Sequence, residues 1–326
     1  MLKSSRRRGP AVAKRQLRLA LRRARYAAEM TQNEVADALD WHTSKILRIE
    51  NGQVSVATSD LMALVALYPD LGPERLPELV DLAREGRRPS FVSRYREVLT
   101  PQFAEWLEYE AYAMSIRLFE SQFVPGVLQT DEYAAATVRG LLGNEADDGR
   151  VEQIVAARIE RAEPLTGPDG PRMEFIVDEA VLWRGVGGEA GAGGRSVMLA
   201  QLRHLQRMNT VGRTVAGDPV EPGLNPGISV QVVPFDLGAY AAMRRPFELV
   251  KFDESEDDAM LYFESPGGDE VIRDSVDETA RHHDLFVELK KALPGPERTN
   301  AFIDTVLAAM REGAAASCRF GSCRLL

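Results

Sequence analysis

Apolar residues recur at helical spacing along the first 85 or so residues. Val35 and Leu39 are four apart, and Ile46 and Ile49 three apart, so each pair shares a helix face. Five helices are expected there. The first covers about 13–28, and the second starts after Thr31, an N-cap whose capping box is completed by Glu34. The third is "TSKILRIENG" at 43–52, closed by Asn51-Gly52, two residue types that tolerate the left-handed conformation of a C-terminal cap. The fourth and fifth cover about 59–68 and 76–85, and "GRRPSF" then breaks the pattern near 86–91.

Beyond that break the periods are mixed. Residues 103–120 read as one long amphipathic helix, and "FVPGVLQT" at 123–130 as a turn segment around Pro125-Gly126. Helices are expected from Asp131 and over about 151–162, 196–209, 276–293 and 299–313. "MEFIVDEAVL", "SVQVVP", "FELVKF" and "AMLYFES" have strand composition, while 184–195 and 216–227 are glycine- or proline-rich loops. The last residues, 314–326, show no period and read as a flexible tail.

Helices two and three are separated by only two or three residues around Asp40 and Trp41, which fits a helix-turn-helix. Ala36 is small where the helices cross, and Val35, Leu39, Ile46 and Ile49 supply the common core. The start of helix three then faces the major groove. Thr43 and Ser44 offer short donor-acceptors for base edges, Lys45 and Arg48 reach phosphates, and Arg48 can also read a guanine. Gln32 can meet a phosphate at the start of helix two.

"MTQNEVADALDWHTSKILRIENG" resembles the XRE/Cro-type (lambda-repressor-like) helix-turn-helix family over about 13–70. The resemblance places Gln32, Thr43, Ser44 and Arg48 at DNA-contacting positions, with Thr31, His42, Lys45 and Asn51 beside them. Two features depart from the family. Glu29 and Asp40 stand where glycine is common at helix ends, so the turn before Met30 is expected to differ. His42 replaces the usual Ser or Asp cap: it can cap, touch the DNA backbone, or sit as an exposed loop histidine.

Charge adds a polarity to this picture. The chain has 326 residues and a net charge of −9, but residues 1–50 carry 12 Lys+Arg against 5 Asp+Glu. A basic head on an acidic body points to nucleic-acid contact at one end. Arg6, Arg7 and Arg8 form an arm over 1–12 that can add phosphate or minor-groove contacts, or serve only solubility. No apolar run approaches a membrane span and no secretory signal opens the chain, so a cytoplasmic location without membrane contact is expected.

No HExxH, GxSxG, Walker loop or post-strand GxGxxG occurs, so no catalytic residue, metal or cofactor is expected. Cys318 and Cys323 lack a second ligand pair; a zinc site, a reversible disulfide and idle thiols are the readings open to them. Asp178-Glu179 suits either acid–base chemistry or a helix start. Trp106, Tyr109, Tyr112, Pro125 and Gln129 either line a ligand or partner groove or belong to the core, with Trp106, Tyr109 and Leu118 on one helical face.

Blocks including "LEYEAYAMSIRLFESQFVPGVLQT", "RIERAEPL", "FIVDEAVLWRGVGG" and "VQVVPFDLGAY" resemble the DUF5753 domain of WhiJ-like and antitoxin-like actinobacterial regulators. The resemblance implies an α/β (α+β) regulatory domain over about 92–313, behind an all-α domain over 13–88, and a small DUF397-type protein partner. The expected function is a dimeric regulator of a double-stranded DNA operator, whose second domain senses a protein or small ligand. An antitoxin-like protein that sequesters its partner, or an enzyme with a DNA-targeting head, are the competing readings.

Overall fold

The computed structural model describes residues 9–187, 192–252, 259–265 and 268–311. Arg6, Arg7, Arg8, Cys318 and Cys323 lie outside them. The chain divides into two compact units, 1–94 with 107–112 and 95–106 with 113–326.

Among the described residues, the 9–94 stretch of the first unit forms α1 (Pro10–Ala27), α2 (Gln32–Ala38), α3 (Thr43–Glu50), α4 (Thr58–Leu67) and α5 (Leu76–Glu85). Their apolar faces meet in one core of Leu17, Leu21, Val35, Ala36, Ile46, Ile49, Leu61, Leu64, Tyr68, Leu79 and Leu82, with Leu39 partly buried against it. The first three helices end alike. The residue after the cap turns left-handed at Glu29 (φ 56°), Asp40 (φ 52°) and Gly52 (φ 70°). The next N–H then reaches back five residues, from Met30 to Arg25 O, Trp41 to Ala36 O and Gln53 to Arg48 O. Replacing glycine at two of these ends has therefore left the turns intact, contrary to the altered turn expected at Glu29.

The second unit carries a six-stranded sheet. The chain passes between units within α6 (Pro101–Glu110), then forms β1 (Ser115–Glu120), α7 (Asp131–Leu142), α8 (Asp148–Thr166), β2 (Arg172–Asp178) and α9 (Glu179–Trp183). α10 (Ala192–Met208), α11 (Thr210–Ala216), β3 (Ile228–Val233), β4 (Phe247–Lys251), β5 (Ala259–Phe263), β6 (Glu270–Ile272), α12 (Val276–Ala292) and α13 (Pro296–Arg311) follow. The strand order is β3-β2-β1-β4-β5-β6; β1, β2 and β3 are parallel, and β4 and β5 alternate in direction. An all-α head followed by an α/β body is thus present, as the sequence implied.

Two elements correct the sequence reading. The long helix over 103–120 stops at Glu110, and 115–120 is the central strand β1, paired with β2 on one side and β4 on the other. Ile116 and Leu118 are buried at strand spacing, so Leu118 shares no helical face with Trp106. α11 fills 210–216, a stretch left without an assigned element between the helix expected over 196–209 and the loop expected over 216–227. A Cβ on its Gly212 would sit 2.4 Å from Pro296 O, so the glycine permits close packing of α11 on α13.

Buried polar side chains fasten helices to β3. Asn209 Oδ1 accepts from Val230 N at 3.0 Å, Thr210 Oγ1 bridges to the Ile228 N and O, each at 3.2 Å, and Thr299 donates to Val230 O at 2.7 Å. Among the described residues no helix is long and apolar enough to cross a membrane, and no group of three or more His, Cys, Asp or Glu could hold a metal ion.

Candidate nucleic-acid interface

α2 is started by local chemistry. Thr31 Oγ1 accepts from Glu34 N at 3.2 Å, and Thr31 N donates to Glu34 Oε2 at 2.7 Å, which is the capping box expected. These Thr31 hydrogen bonds hold the exposed Glu34 carboxyl below its usual range. The turn to α3 uses residues 39–42, slightly longer than expected. His42 then caps α3: its Nδ1 accepts from Ser44 N at 3.2 Å and lies 2.8 Å from Ser44 Oγ. An accepting Nδ1 fixes the other nitrogen as the protonated one in a neutral ring. His42 is thus a cap whose ring stays exposed.

The scaffold behind this turn is ionic. Arg25 Nε lies 2.6 Å from Glu50 Oε1 and Arg25 Nη2 3.0 Å from Oε2, and both residues are buried. Gln32 Nε2 donates to the same carboxylate at 2.7 Å. The hydrogen bond to Glu50 raises the Arg25 pKa, outweighing burial, so the guanidinium stays charged. This network ties α1, α2 and the last turn of α3 together. Its consequence is that the Gln32 side chain is committed inward, where the sequence had assigned it to a phosphate; at this position the backbone of the α2 N-terminus remains as the donor.

Lys45 is committed too. Its Nζ is 2.8 Å from Asp60 Oδ1, in the first turn of α4, and 3.6 Å from the centre of the Trp41 ring. A phosphate must therefore compete with a carboxylate for this cation. Thr43 is half-engaged, donating to Asn33 Oδ1 at 2.9 Å and so linking α3 to α2.

What remains presented to solvent is one strip of α3. Ser44, Leu47 and Arg48 are exposed and lie three and four residues apart, and exposed Asn51 continues the strip beyond the C-terminus. Arg48 Nε folds back to Ser44 O at 3.2 Å, leaving the ends of its guanidinium outward. The sequence reading missed Leu47, 42% exposed, and Asn33. Leu47 follows Ser44 by three, a spacing that could have found it; the Asn33–Thr43 contact had no sequence signal.

The residues assigned to a groove do not form one set. Trp106, in the second unit, is fully buried and stacks on Tyr262 with centroids 5.1 Å apart. Tyr109 and Tyr112 belong to the first unit, Tyr109 buried and Tyr112 36% exposed. Pro125 is buried, while half-buried Gln129 donates to Val124 O at 2.8 Å and accepts from Arg158 Nη1 at 2.9 Å. Asp178 caps α9 through Ala180 N, which answers the Asp178-Glu179 question as a helix start.

Comparison with known families now bears on this geometry. The family model described as Domain of unknown function (DUF5753) matches residues 103–215 and 220–305, more than half of the chain. The chain belongs to the DUF5753 family. A second model, described as Helix-turn-helix domain, matches residues 16–79, which contain α2, α3 and the whole exposed strip. Neither a curated protein nor a solved structure matches this DUF5753 chain.

Proposed function

We propose that this DUF5753 protein is a sequence-specific DNA-binding transcriptional regulator that reads its operator with α3. The observation that carries the reading is the exposed strip of Ser44, Leu47 and Arg48 on a helix fixed from behind by Arg25–Glu50 and from its start by His42. A rigid helix with short and long donors on its free side suits a major groove. One strip contacts few bases, so two copies acting as a homodimer on paired half-sites fit the need for specificity. The second unit serves as a sensor of a small ligand or of a DUF397-type protein, and acts in regulation rather than catalysis. The working compartment is the cytoplasm.

The test is binding-site selection from random duplexes followed by affinity measurement. Ser44→Ala should weaken binding to the selected site by about 1–3 kcal/mol and leave binding to random DNA nearly unchanged. Equal losses on both DNAs would remove α3 from the role of base reader.

A further inference from the structure

A serine hydroxyl both donates and accepts, so residue type alone leaves open what Ser44 shows to a base. Its surroundings decide the matter. Ser44 N donates to His42 Nδ1 at 3.2 Å, so this nitrogen carries a lone pair and not a proton. Ser44 Oγ lies 2.8 Å from the same nitrogen, a hydrogen-bond distance. Two lone pairs facing each other there would repel, so the hydroxyl proton points at His42. Ser44 is exposed, and its free side is left with the lone pairs of Oγ.

The residues beside it keep the same pattern. Thr43 Oγ1 donates to Asn33 Oδ1 at 2.9 Å, so its proton also points inward, toward α2. Arg48 Nε donates to the Ser44 carbonyl at 3.2 Å and leaves the hydroxyl alone. Along the exposed strip of α3 an acceptor at Ser44 is therefore followed, one turn on, by a guanidinium that can only donate.

Few groups in the major groove suit an acceptor. Adenine N6 and cytosine N4 are amino donors, while guanine O6 and thymine O4 stand in the equivalent places as acceptors. An acceptor at Ser44 thus separates adenine from guanine, or cytosine from thymine. A hydroxyl free to rotate would serve either member of each pair.

We propose that His42, by holding the Ser44 proton, makes Ser44 a reader of an exocyclic amino group, and that His42 is the positioning residue for this specificity. The role rests on α3 being the base-reading helix within the matched Helix-turn-helix domain, and narrows Ser44 there from donor to acceptor. His42 acts through Ser44 and need touch no base itself.

The duplex selected by the full chain is measured again at about pH 8, where an ordinary imidazole is neutral. The base pair read by Ser44 is the one whose preference Ser44→Ala relaxes. Each base pair carries one amino group in the major groove. Removing it, by adenine to purine or cytosine to pyrimidin-2-one, should weaken native binding about three- to tenfold, the worth of one hydrogen bond. Ser44→Ala should not feel that removal beyond its own loss. A transition that puts a keto oxygen in the same place should cost the native chain more, because lone pairs then face each other. His42→Gly keeps an N-cap residue that helices tolerate and releases the serine proton. In it the discrimination of amino from keto should largely vanish. If that variant does not fold, the amino-free and keto duplexes decide with the native chain and Ser44→Ala. Amino removal that the native chain tolerates, or that costs Ser44→Ala as much, overturns the proposal. So does a His42→Gly variant that discriminates as strongly as the native chain. A selected duplex at which Ser44→Ala relaxes no position overturns it too, and leaves base reading to Leu47 and Arg48. Failure to select any duplex removes the proposed function itself.

Discussion

At the scale of single residues, the head works against its own backbone preferences. Glu29 and Asp40 hold φ of 56° and 52°, a region that disfavours side chains with a Cβ. Glu29→Gly and Asp40→Gly should each stabilise the protein by about 0.5–1 kcal/mol, measured by urea unfolding of the head's transition. Both positions stood out in the sequence because glycine was absent where a helix end needed it; what could not be read was that the turn would keep its shape regardless. Glu120 is a different case. Burial pushes its carboxyl up to about 7, with backbone N–H groups of Gln122 and Ser121 opposing and Glu264 adding to the rise. The fold prefers the protonated form, so this contribution to stability is complete below the ordinary value of 4.5 and is lost as pH climbs through about 7. Glu120→Gln keeps an acceptor for both N–H groups. It should be more stable than the native chain at pH 8 by on the order of 1–2 kcal/mol, discounted for partial exposure, and no more stable at pH 4.5. Parallel denaturation curves at the two pH values check this.

At the scale of elements, α2 and α3 were legible because their signals are local: a capping box, a three-residue apolar spacing, a terminal glycine. β1 and α11 were not. "AMSIRLFE" continues an amphipathic helix as plausibly as it starts a strand, and only its place between β2 and β4 decides for the strand. Gly212 is favourable only because α13 comes close, a fact that lies more than eighty residues away in sequence. Lys45 illustrates the same limit within the interface. Its partner Asp60 belongs to α4, and nothing in "TSKILRIENG" announces it. If α3 enters the groove, Asp60→Asn frees Lys45 for the phosphates. DNA affinity should then rise on all sequences alike, and the slope of log affinity against log salt should steepen by up to about 1. An unchanged slope would mean that Lys45 stays beside Trp41 in the complex.

At the scale of the whole molecule, the charge asymmetry survives but shrinks. Residues 1–50 are rich in arginine, yet Arg15, Arg18 and Arg25 are buried, so their charges are not surface charges available to DNA. The cations that residues 9–50 leave exposed include Lys14, Arg23 and Arg48, and the Arg6–Arg8 run is expected to add to them if the head binds DNA. Removing residues 1–9 should lower affinity for every duplex and flatten the salt slope by about 2–3 if each of these arginines meets a phosphate. Gel-shift titrations at several salt concentrations measure this.

The bonds that fasten α11 and α13 to β3 have one more consequence. A sheet ends in strands whose outward N–H and C=O groups invite another chain to pair. In β3 those of Ile228 and Val230 are already occupied, by Thr210, Asn209 and Thr299, and at the opposite end β6 is only Glu270–Ile272. The sheet thus offers little template for growth by strand addition. Copies of this protein crowded on neighbouring DNA sites can meet through side-chain surfaces without nucleating a β-linked aggregate.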